Sequence, residues 1–250
     1  MSLRSRRCVD INLSSGDAVD YLQNLDVTLY RALNSICGSS DTLDRIVYHA
    51  AGPTGVVFLG LFGLLWFRGE DGQIRRRQVL ILVVPAVAIA LVINRVISTL
   101  LPFRVRPMYA LGANTPSYHW TFDLESWSSF PSDNATYLFA IAACLYVVSR
   151  SAGLVFGVFA AFACLGRIYF GIHYPSDILT GALIGIATGY AVTRPAIAES
   201  ASRPLLGYEK QYPGYFYAVL FMMLAEVVGG FPNTRHIGVA IVHMFRGYTH

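Results

Sequence analysis

Several polar side chains in this chain have the types and spacing needed to bind and transfer a phosphoryl group. Guanidinium groups can chelate the nonbridging oxygens of a phosphate, and a serine that caps a helix lies beside free N–H groups at a positive dipole end. The sequence therefore predicts a phosphate-binding site. Its candidate residues come from three separate stretches of the chain: Arg104, Arg106, Ser132, Arg167, His173 and Asp177.

His173 is the candidate nucleophile of this set, because one imidazole nitrogen can attack phosphorus. Asp177 follows four residues later and can accept a hydrogen bond from the other nitrogen, stabilising positive charge on the ring. Pro175 suits the first turn of a following helix. No His/Cys/Asp cluster has metal-ligand spacing, so we expect a reaction that needs neither a metal nor another cofactor.

Each of these residues also has a purely structural interpretation. Arg167 could extend from a helix end toward water, Asp177 could stabilise a helix N-terminus, and His173 could be an interfacial loop residue. Groups with phosphate-binding chemistry recur at corresponding helix ends, however, and this recurrence favours a single functional site.

The elements that must position these groups are predicted to be membrane-spanning helices. Of the 250 residues, 54% are hydrophobic and 14% are charged, and the mean hydropathy is +0.49, whereas about 25% of the residues of a soluble domain are charged. Runs long enough to cross a hydrocarbon core of roughly 30 Å predict an all-α polytopic bundle. The six predicted spans are 45–67, 78–101, 131–149, 153–170, 175–192 and 213–230.

The N-terminal part of the chain has a different pattern. Apolar residues between Asp17 and Cys37 have helical spacing, but charged residues interrupt them, which predicts an amphipathic interfacial helix. We therefore expect an interfacial segment over residues 1–43, a transmembrane domain over 44–230 and a C-terminal tail over 231–250.

The distribution of positive charge predicts the orientation of the bundle. Loops rich in arginine and lysine favour the cytoplasmic side, and here they connect spans one to two, three to four and five to six. The candidate site residues would then lie on the outer face. The basic residues of the predicted cytoplasmic loops are Arg68, Arg75, Arg76, Arg77, Arg150, Arg194, Arg203 and Lys210.

The third stretch resembles a known motif. "GRIYFGIHYPSD" places Arg167, His173 and Asp177 at the spacing of Ser-Arg-x5-His-x3-Asp, with Gly166 in place of the serine. This motif belongs to the type-2 phosphatidic acid phosphatase and vanadium haloperoxidase superfamily. The resemblance implies that His173 forms a phosphohistidine.

The other two family motifs are only partly preserved. "TLLPFRVRP" keeps Arg106 of the Lys-x6-Arg-Pro motif but has Thr99 at the lysine position. "PSDN" keeps Ser132 of the Pro-Ser-Gly-His motif but ends in Asp133 and Asn134. The missing lysine and the "PSD" sequence make the chain similar to the bacitracin-resistance type of undecaprenyl diphosphatase.

The resemblance implies a lipid phosphatase of a bacterial cytoplasmic membrane, with the bilayer and a lipid diphosphate as partners and no role for nucleic acid. Its active site would face the exterior. Two alternatives stay open: a lipid phosphotransferase of the same fold, and a noncatalytic protein that binds or transports lipid phosphates.

Asn134 occupies the position at which the family histidine resembles a general acid. An amide can donate a hydrogen bond but cannot protonate a leaving group, so we expect Asn134 to position phosphate. A diphosphate would then be the better substrate, because its phosphate leaving group, with a second pKa near 6, needs little protonation. Three further explanations remain: a substitute acid at His119 in "PSYH", a weakened site that only binds, or an engineered replacement.

Overall fold

The computed structural model describes residues 15–51, 53–69, 72–114 and 124–228. All regular structure in these residues is helical, which confirms the predicted all-α class. The helices are α1 (Ser15–Asn34), α2 (Asp41–Ala51), α3 (Thr54–Phe67), α4 (Gln73–Ile81), α5 (Val83–Leu100), a π-helix (Met108–Gly112), α6 (Asp133–Val148), α7 (Arg150–Tyr169), α8 (Pro175–Val192), α9 (Pro195–Gln211) and α10 (Pro213–Val228).

The membrane-span candidates agree only in part with the six predicted. By length and composition, three stretches of the described residues could cross a membrane: Asp41–Phe67, Gln73–Leu100 and Arg150–Tyr169. Helices α8 and α9 pass the same test together but are bent by 73°, and α6 and α10 are shorter apolar helices. Helix α6 has 16 residues, about 24 Å at 1.5 Å per residue, because Ser132 and Ser149 cap its two ends.

Glycine allows α8 to approach α6 closely. A methyl group at Gly185 would overlap the main chain of α6 at Thr136, so the two backbones touch where small residues permit it. This contact sets the N-termini of both helices side by side, and the Ser132 N–H donates to the Asp177 carbonyl at 3.1 Å. The three glycines recur at every fourth residue of α8: Gly181, Gly185 and Gly189.

A buried hydrogen bond joins α5 to α6. Asn94 is fully buried, and its Nδ2 donates to Thr136 Oγ1 at 2.7 Å. The Thr136 hydroxyl in turn donates to the Ser132 carbonyl at 3.0 Å. Since a buried polar group is costly unless it is paired, these bonds favour one register of α5 against α6. They therefore position the chain that leaves α5 toward the site.

Helix α1 turns its polar face toward the protein. Asp26, Tyr30 and Asn34 are spaced four residues apart and are at most 5% exposed. Its exposed residues include four large apolar ones, Tyr21, Leu22, Leu25 and Leu29, together with polar Gln23 and Arg31. Large apolar side chains that face away from the protein suit a helix whose apolar side contacts lipid. The structure confirms the predicted amphipathic helix, while its position in a membrane stays a prediction.

Two helical segments were not predicted. Helix α9 lies in the stretch interpreted as a loop between the last two spans, and α4 carries the arginines of the first basic loop. Arg77 of α4 pairs with Glu209 of α9 at 3.1 Å and lies 5.0 Å from the ring centroid of Trp66. These contacts hold the basic end of the bundle together, so this end is structured and is not a set of free loops.

Candidate active site

The predicted site residues meet at one end of the bundle, where α5 and α7 end and α6 and α8 begin. After α5 the chain runs against the turn that follows α7: the Met108 N–H donates to the Gly171 carbonyl at 2.9 Å. Arg106 donates to the Ile172 carbonyl at 3.0 Å. The first and third sequence stretches are therefore adjacent, at the face where the predicted topology places them.

His173 is buried in this turn, with only 3% of its surface exposed. Its Nδ1 lies 2.9 Å from the Ser129 carbonyl oxygen, an acceptor, so we assign the proton to Nδ1. Its Nε2 then carries a lone pair and lies 3.4 Å from a terminal nitrogen of Arg106. Nε2 is therefore the nitrogen able to attack phosphorus.

The environment of His173 favours its neutral form. Burial lowers the pKa of His173 from its ordinary value, and the positive charge of Arg106 lowers it further, while Asp177 and the Ser129 carbonyl oppose this decrease. A buried imidazole of this kind is uncharged near neutral pH, which is the state a nucleophile requires.

Asp177 is fully buried at the first turn of α8. Its carboxylate accepts hydrogen bonds from the Tyr174 N–H at 2.8 Å and from the Ser129 hydroxyl. The nearest carboxylate oxygen lies 3.6 Å from His173 Nδ1, which is too long for a hydrogen bond. The Ser129 carbonyl therefore takes the place predicted for Asp177, and Asp177 acts on the ring through its charge.

Arg104 binds two carboxylates in this structure. One terminal nitrogen lies 2.5 Å from Asp177 Oδ1 and 2.7 Å from Ser176 Oγ, and the other lies 2.5 Å from Asp26 Oδ2. Its guanidinium also lies over the Tyr174 ring, 4.0 Å from the centroid. A phosphate ligand at Arg104 would compete with these contacts.

Arg106 and Arg167 are better placed to receive an anion. Arg106 is 8% exposed, and its Nε has no hydrogen-bond partner among the described residues. Burial lowers the pKa of Arg106; nearby Asp133 and Asp177 oppose this, and the charge of Arg167 adds to it. No hydrogen bond joins the half-buried Arg167 guanidinium to the rest of the described chain. A bound anion would offset two positive charges in a partly dry site.

The N-terminus of α6 completes this end of the bundle. Ser132 caps the helix as predicted, and its Oγ accepts from the Ala135 N–H at 3.4 Å. Asp133 pairs with Arg95 at 3.2 Å, and Arg95 lies over the Trp127 ring at 4.6 Å. Thr99, at the family's lysine position, donates to the Val96 carbonyl on its own helix.

Asn134 lies in the first turn of α6 and is half-buried. Its side chain makes no hydrogen bond to the described part of the chain, so its amide is available to a ligand. His119 lies outside the described residues, and its role as a substitute acid stays a prediction.

Sequence reasoning missed three residues of this site. Ser129 binds both His173 and Asp177, although it lies just before the recognised "PSD". Ser176 and Asp26 bind each other and Arg104. The one available signal was Asp26 itself, a charge that interrupts the apolar spacing of α1. In the described ranges no three His, Cys, Asp or Glu side chains form a group that could hold a metal.

A comparison with known families identifies this part of the chain. A family model described as PAP2 superfamily matches residues 78–197. These residues are a PAP2 superfamily domain. The domain contains α5 to α8 and every site residue predicted from the sequence, whereas α1 and its Asp26 precede it.

The matches to individual relatives cover more of the chain than the match to the PAP2 family model does. The bacitracin transport permease protein BcrC of Bacillus licheniformis is 26% identical over 187 residues, which are 74% of this chain and 88% of that protein. The undecaprenyl-diphosphatase BcrC of Bacillus subtilis (strain 168) is 27% identical over 170 residues, 68% of this chain and 83% of that protein. Among solved structures, Aquifex aeolicus LpxE is 26% identical, with a TM-score of 0.48, and covers 67% of this chain and 93% of its own.

Proposed function

We propose that this chain is a membrane lipid phosphatase that hydrolyses a lipid diphosphate of the undecaprenyl diphosphate type. The observation that carries the proposal is the position of His173 within the PAP2 domain. Its Nδ1 is held by a carbonyl at 2.9 Å, and its Nε2 lies 3.4 Å from Arg106. A relative named as an undecaprenyl-diphosphatase supports the substrate class.

Arg106 and Arg167 bind the terminal phosphate. Arg106 offers a buried Nε that has no partner among the described residues, and Arg167 brings a second positive charge close enough to lower the pKa of Arg106. The N-terminus of α6 adds a positive dipole end and the free amide of Asn134. In this proposal Arg104 supports Asp177 and does not bind the phosphate.

Catalysis begins when His173 Nε2 attacks the terminal phosphorus. A nitrogen–phosphorus bond forms while the bond to the bridging oxygen breaks, and its electron pair leaves with the lipid monophosphate. The ring becomes positively charged, and the nearby Asp177 carboxylate stabilises that charge. Water then attacks the phosphohistidine, and inorganic phosphate and a proton leave.

The leaving group explains why an asparagine can serve at position 134. A lipid monophosphate departs as a phosphate whose second pKa is near 6, so it needs little protonation. An alkoxide is about as basic as hydroxide, whose conjugate acid has a pKa near 15.7, and it does need an acid. The chain therefore favours diphosphates over phosphomonoesters.

The enzyme acts in the bacterial cytoplasmic membrane with its site toward the exterior. This orientation rests on the basic residues of the opposite end of the bundle, including Arg76, Arg77 and Arg150, which favour the cytoplasm. The proposed domain boundaries are those predicted from the sequence. The interfacial segment covers residues 1–43, the transmembrane domain covers 44–230 and the C-terminal tail covers 231–250.

The test is turnover of purified protein in detergent with undecaprenyl diphosphate labelled on its terminal phosphate, without added metal and with a hydroxyl acceptor present. We expect release of inorganic phosphate and an acid-labile label on the protein, both lost in His173→Ala. Transfer of the label to the acceptor would instead identify a phosphotransferase. Tight binding without turnover would identify a noncatalytic binder.

A further inference from the structure

The polar face of α1 lies along the turn that carries His173 and Asp177. Asn34 Nδ2 donates to the Tyr169 carbonyl at 2.9 Å, and Tyr30 packs edge-on against Tyr174, with centroids 6.0 Å apart. Asp26, one turn earlier, is 5% exposed and reaches the start of α8. A helix outside the PAP2 domain therefore contacts the active-site turn along its length.

Asp26 makes three close contacts at this point. One carboxylate oxygen accepts from the Ser176 N–H at 2.8 Å. The other accepts from the Ser176 hydroxyl at 2.6 Å and pairs with Arg104 at 2.5 Å. Because the first N–H groups of a helix have no partner within it, Asp26 supplies one for α8 from a different helix.

We propose that Asp26 is a positioning residue for the phosphoryl-transfer site, acting through Arg104 and Ser176 on Asp177 and thereby on His173. The proposal rests on the function proposed above. Asp26 touches no reacting atom, and its effect reaches His173 through the guanidinium that it shares with Asp177.

The sharing of Arg104 gives this position a physical role. With Asp26 present, Arg104 divides its two terminal nitrogens between two carboxylates. Without that charge the guanidinium would be left to Asp177 alone and would neutralise it more completely. Asp177 would then stabilise a positively charged imidazole less well, and formation of the phosphohistidine would slow.

The charged and polar groups around His173 determine how its pKa responds to the loss of the Asp26 charge. Arg106 and the Ser129 carbonyl face the ring from the segments before the π-helix and before α6, and Asp177 faces it from α8. Behind them lie Arg104 beside Asp177, and Arg167 and Asp133 near Arg106. Removing the charge of Asp26 makes this surrounding more positive, so the pKa of His173 should fall.

The experiment measures the pKa of His173 by ¹⁵N-histidine NMR of the full chain in detergent, with His173→Ala to assign the signal. Asp26→Asn should lower this pKa, and Arg104→Gln should raise it. The Asp26→Asn/Arg104→Gln pair, which removes both charges, should return it toward the wild-type value. Opposite shifts of this kind cannot come from general destabilisation.

Turnover provides the second readout. We expect Asp26→Asn to lower kcat on undecaprenyl diphosphate by about 10-fold or more, with KM within about twofold, because the phosphate-binding arginines are unchanged. Asp26→Glu should recover part of the loss. The control is Asp20→Asn, an exposed acid on the same helix, which should leave both readouts unchanged.

An unchanged His173 pKa in Asp26→Asn and Arg104→Gln would overturn the proposal, even if kcat fell, because only a structural role would remain. If Asp26→Asn does not fold, Arg104→Gln and the double variant still decide it. Absence of wild-type turnover would refute the proposed diphosphatase function separately, since the NMR measurement does not depend on catalysis.

Discussion

At the residue scale, the proposed chemistry depends on a neutral His173 held between the Ser129 carbonyl and Arg106. The Ser129 carbonyl orients the ring, Arg106 lies beside the attacking nitrogen, and Asp177 supplies negative charge through a network that also includes Arg104. The site thus contains two kinds of arginine: Arg104, whose terminal nitrogens bind carboxylates, and Arg106, whose Nε has no partner among the described residues.

The first residue-scale prediction concerns pH. Since burial lowers the pKa of His173 from 6.5, the acidic limb of kcat/KM should lie below pH 6.5, and activity should be lost as pH falls through the lowered pKa. Asp177→Asn should move this limb to still lower pH and reduce kcat, but less than His173→Ala, which should abolish the phosphoenzyme. A limb at or above pH 6.5 would contradict this account.

The second residue-scale prediction concerns Asn134. Asn134→His restores a proton donor where the family has one, so turnover of a lipid phosphomonoester should rise, by about 10²-fold if general acid catalysis works at the low end of its range. Diphosphate turnover should change less, because its leaving group needs little protonation. Parallel assays of both substrates with wild type and variant measure the difference.

His119 provides the check on this interpretation. If it is the substitute acid, His119→Ala should depress monoester turnover in the natural chain, and Asn134→His should restore it. Equal rates on monoester and diphosphate that neither substitution alters would refute the leaving-group explanation.

At the element scale, the site exists because α6 and α8 run side by side with their N-termini together. Ser132 and Asp177 are joined by a main-chain hydrogen bond of 3.1 Å, and the glycine face of α8 permits this proximity. Helix α1 then covers the turn before α8 with polar side chains. The same helices that build the bundle therefore determine the distance between the N-terminus of α6 and His173.

The element-scale prediction is that Gly185→Ala destabilises the bundle, because the added methyl group would overlap the α6 main chain at Thr136. Overpacking of this kind typically costs about 1–3 kcal/mol, and thermal unfolding in detergent measures it. The matched control is Gly157→Ala on α7, where an added methyl group meets nothing within 4 Å. Equal melting temperatures for the two variants would show that the close approach of α6 and α8 is not required.

At the scale of the whole molecule, the bundle has two chemically different ends. One gathers His173, Asp177 and the arginines around them, and the other holds the basic residues of α4 and α9. In a membrane this difference predicts an orientation, because basic ends favour the cytoplasm. The substrate would then be dephosphorylated at the outer face.

The whole-molecule prediction tests that orientation. In a Cys8→Ser background, a cysteine at exposed Glu125, near the site, should react with an impermeant thiol reagent added to intact cells. A cysteine at exposed Ser200 on α9 should react only after the membrane is permeabilised. The remaining cysteines, Cys37, Cys144 and Cys164, are buried. The reverse labelling pattern would overturn the orientation.

The sequence alone was sufficient for several features that depend on local pattern. Apolar runs and periodicity predicted the all-α class and the amphipathic α1, since these follow from the helical repeat. The cap at Ser132 and the spacing of His173 and Asp177 were also predictable from the sequence, because capping and an i,i+4 pair involve neighbours along the chain. Helix α9 and the arginine-bearing start of α4 were not predicted.

Only the tertiary structure decided which groups share partners across long separations. Asp26 meets Ser176 across 150 positions, and Arg104 meets Asp177 across 73. No local pattern encodes such contacts, because they arise when several helix ends pack together and buried charges must find partners. That packing assigned Arg104 to carboxylates, placed the Ser129 carbonyl on His173, and brought a charge of α1 into the site.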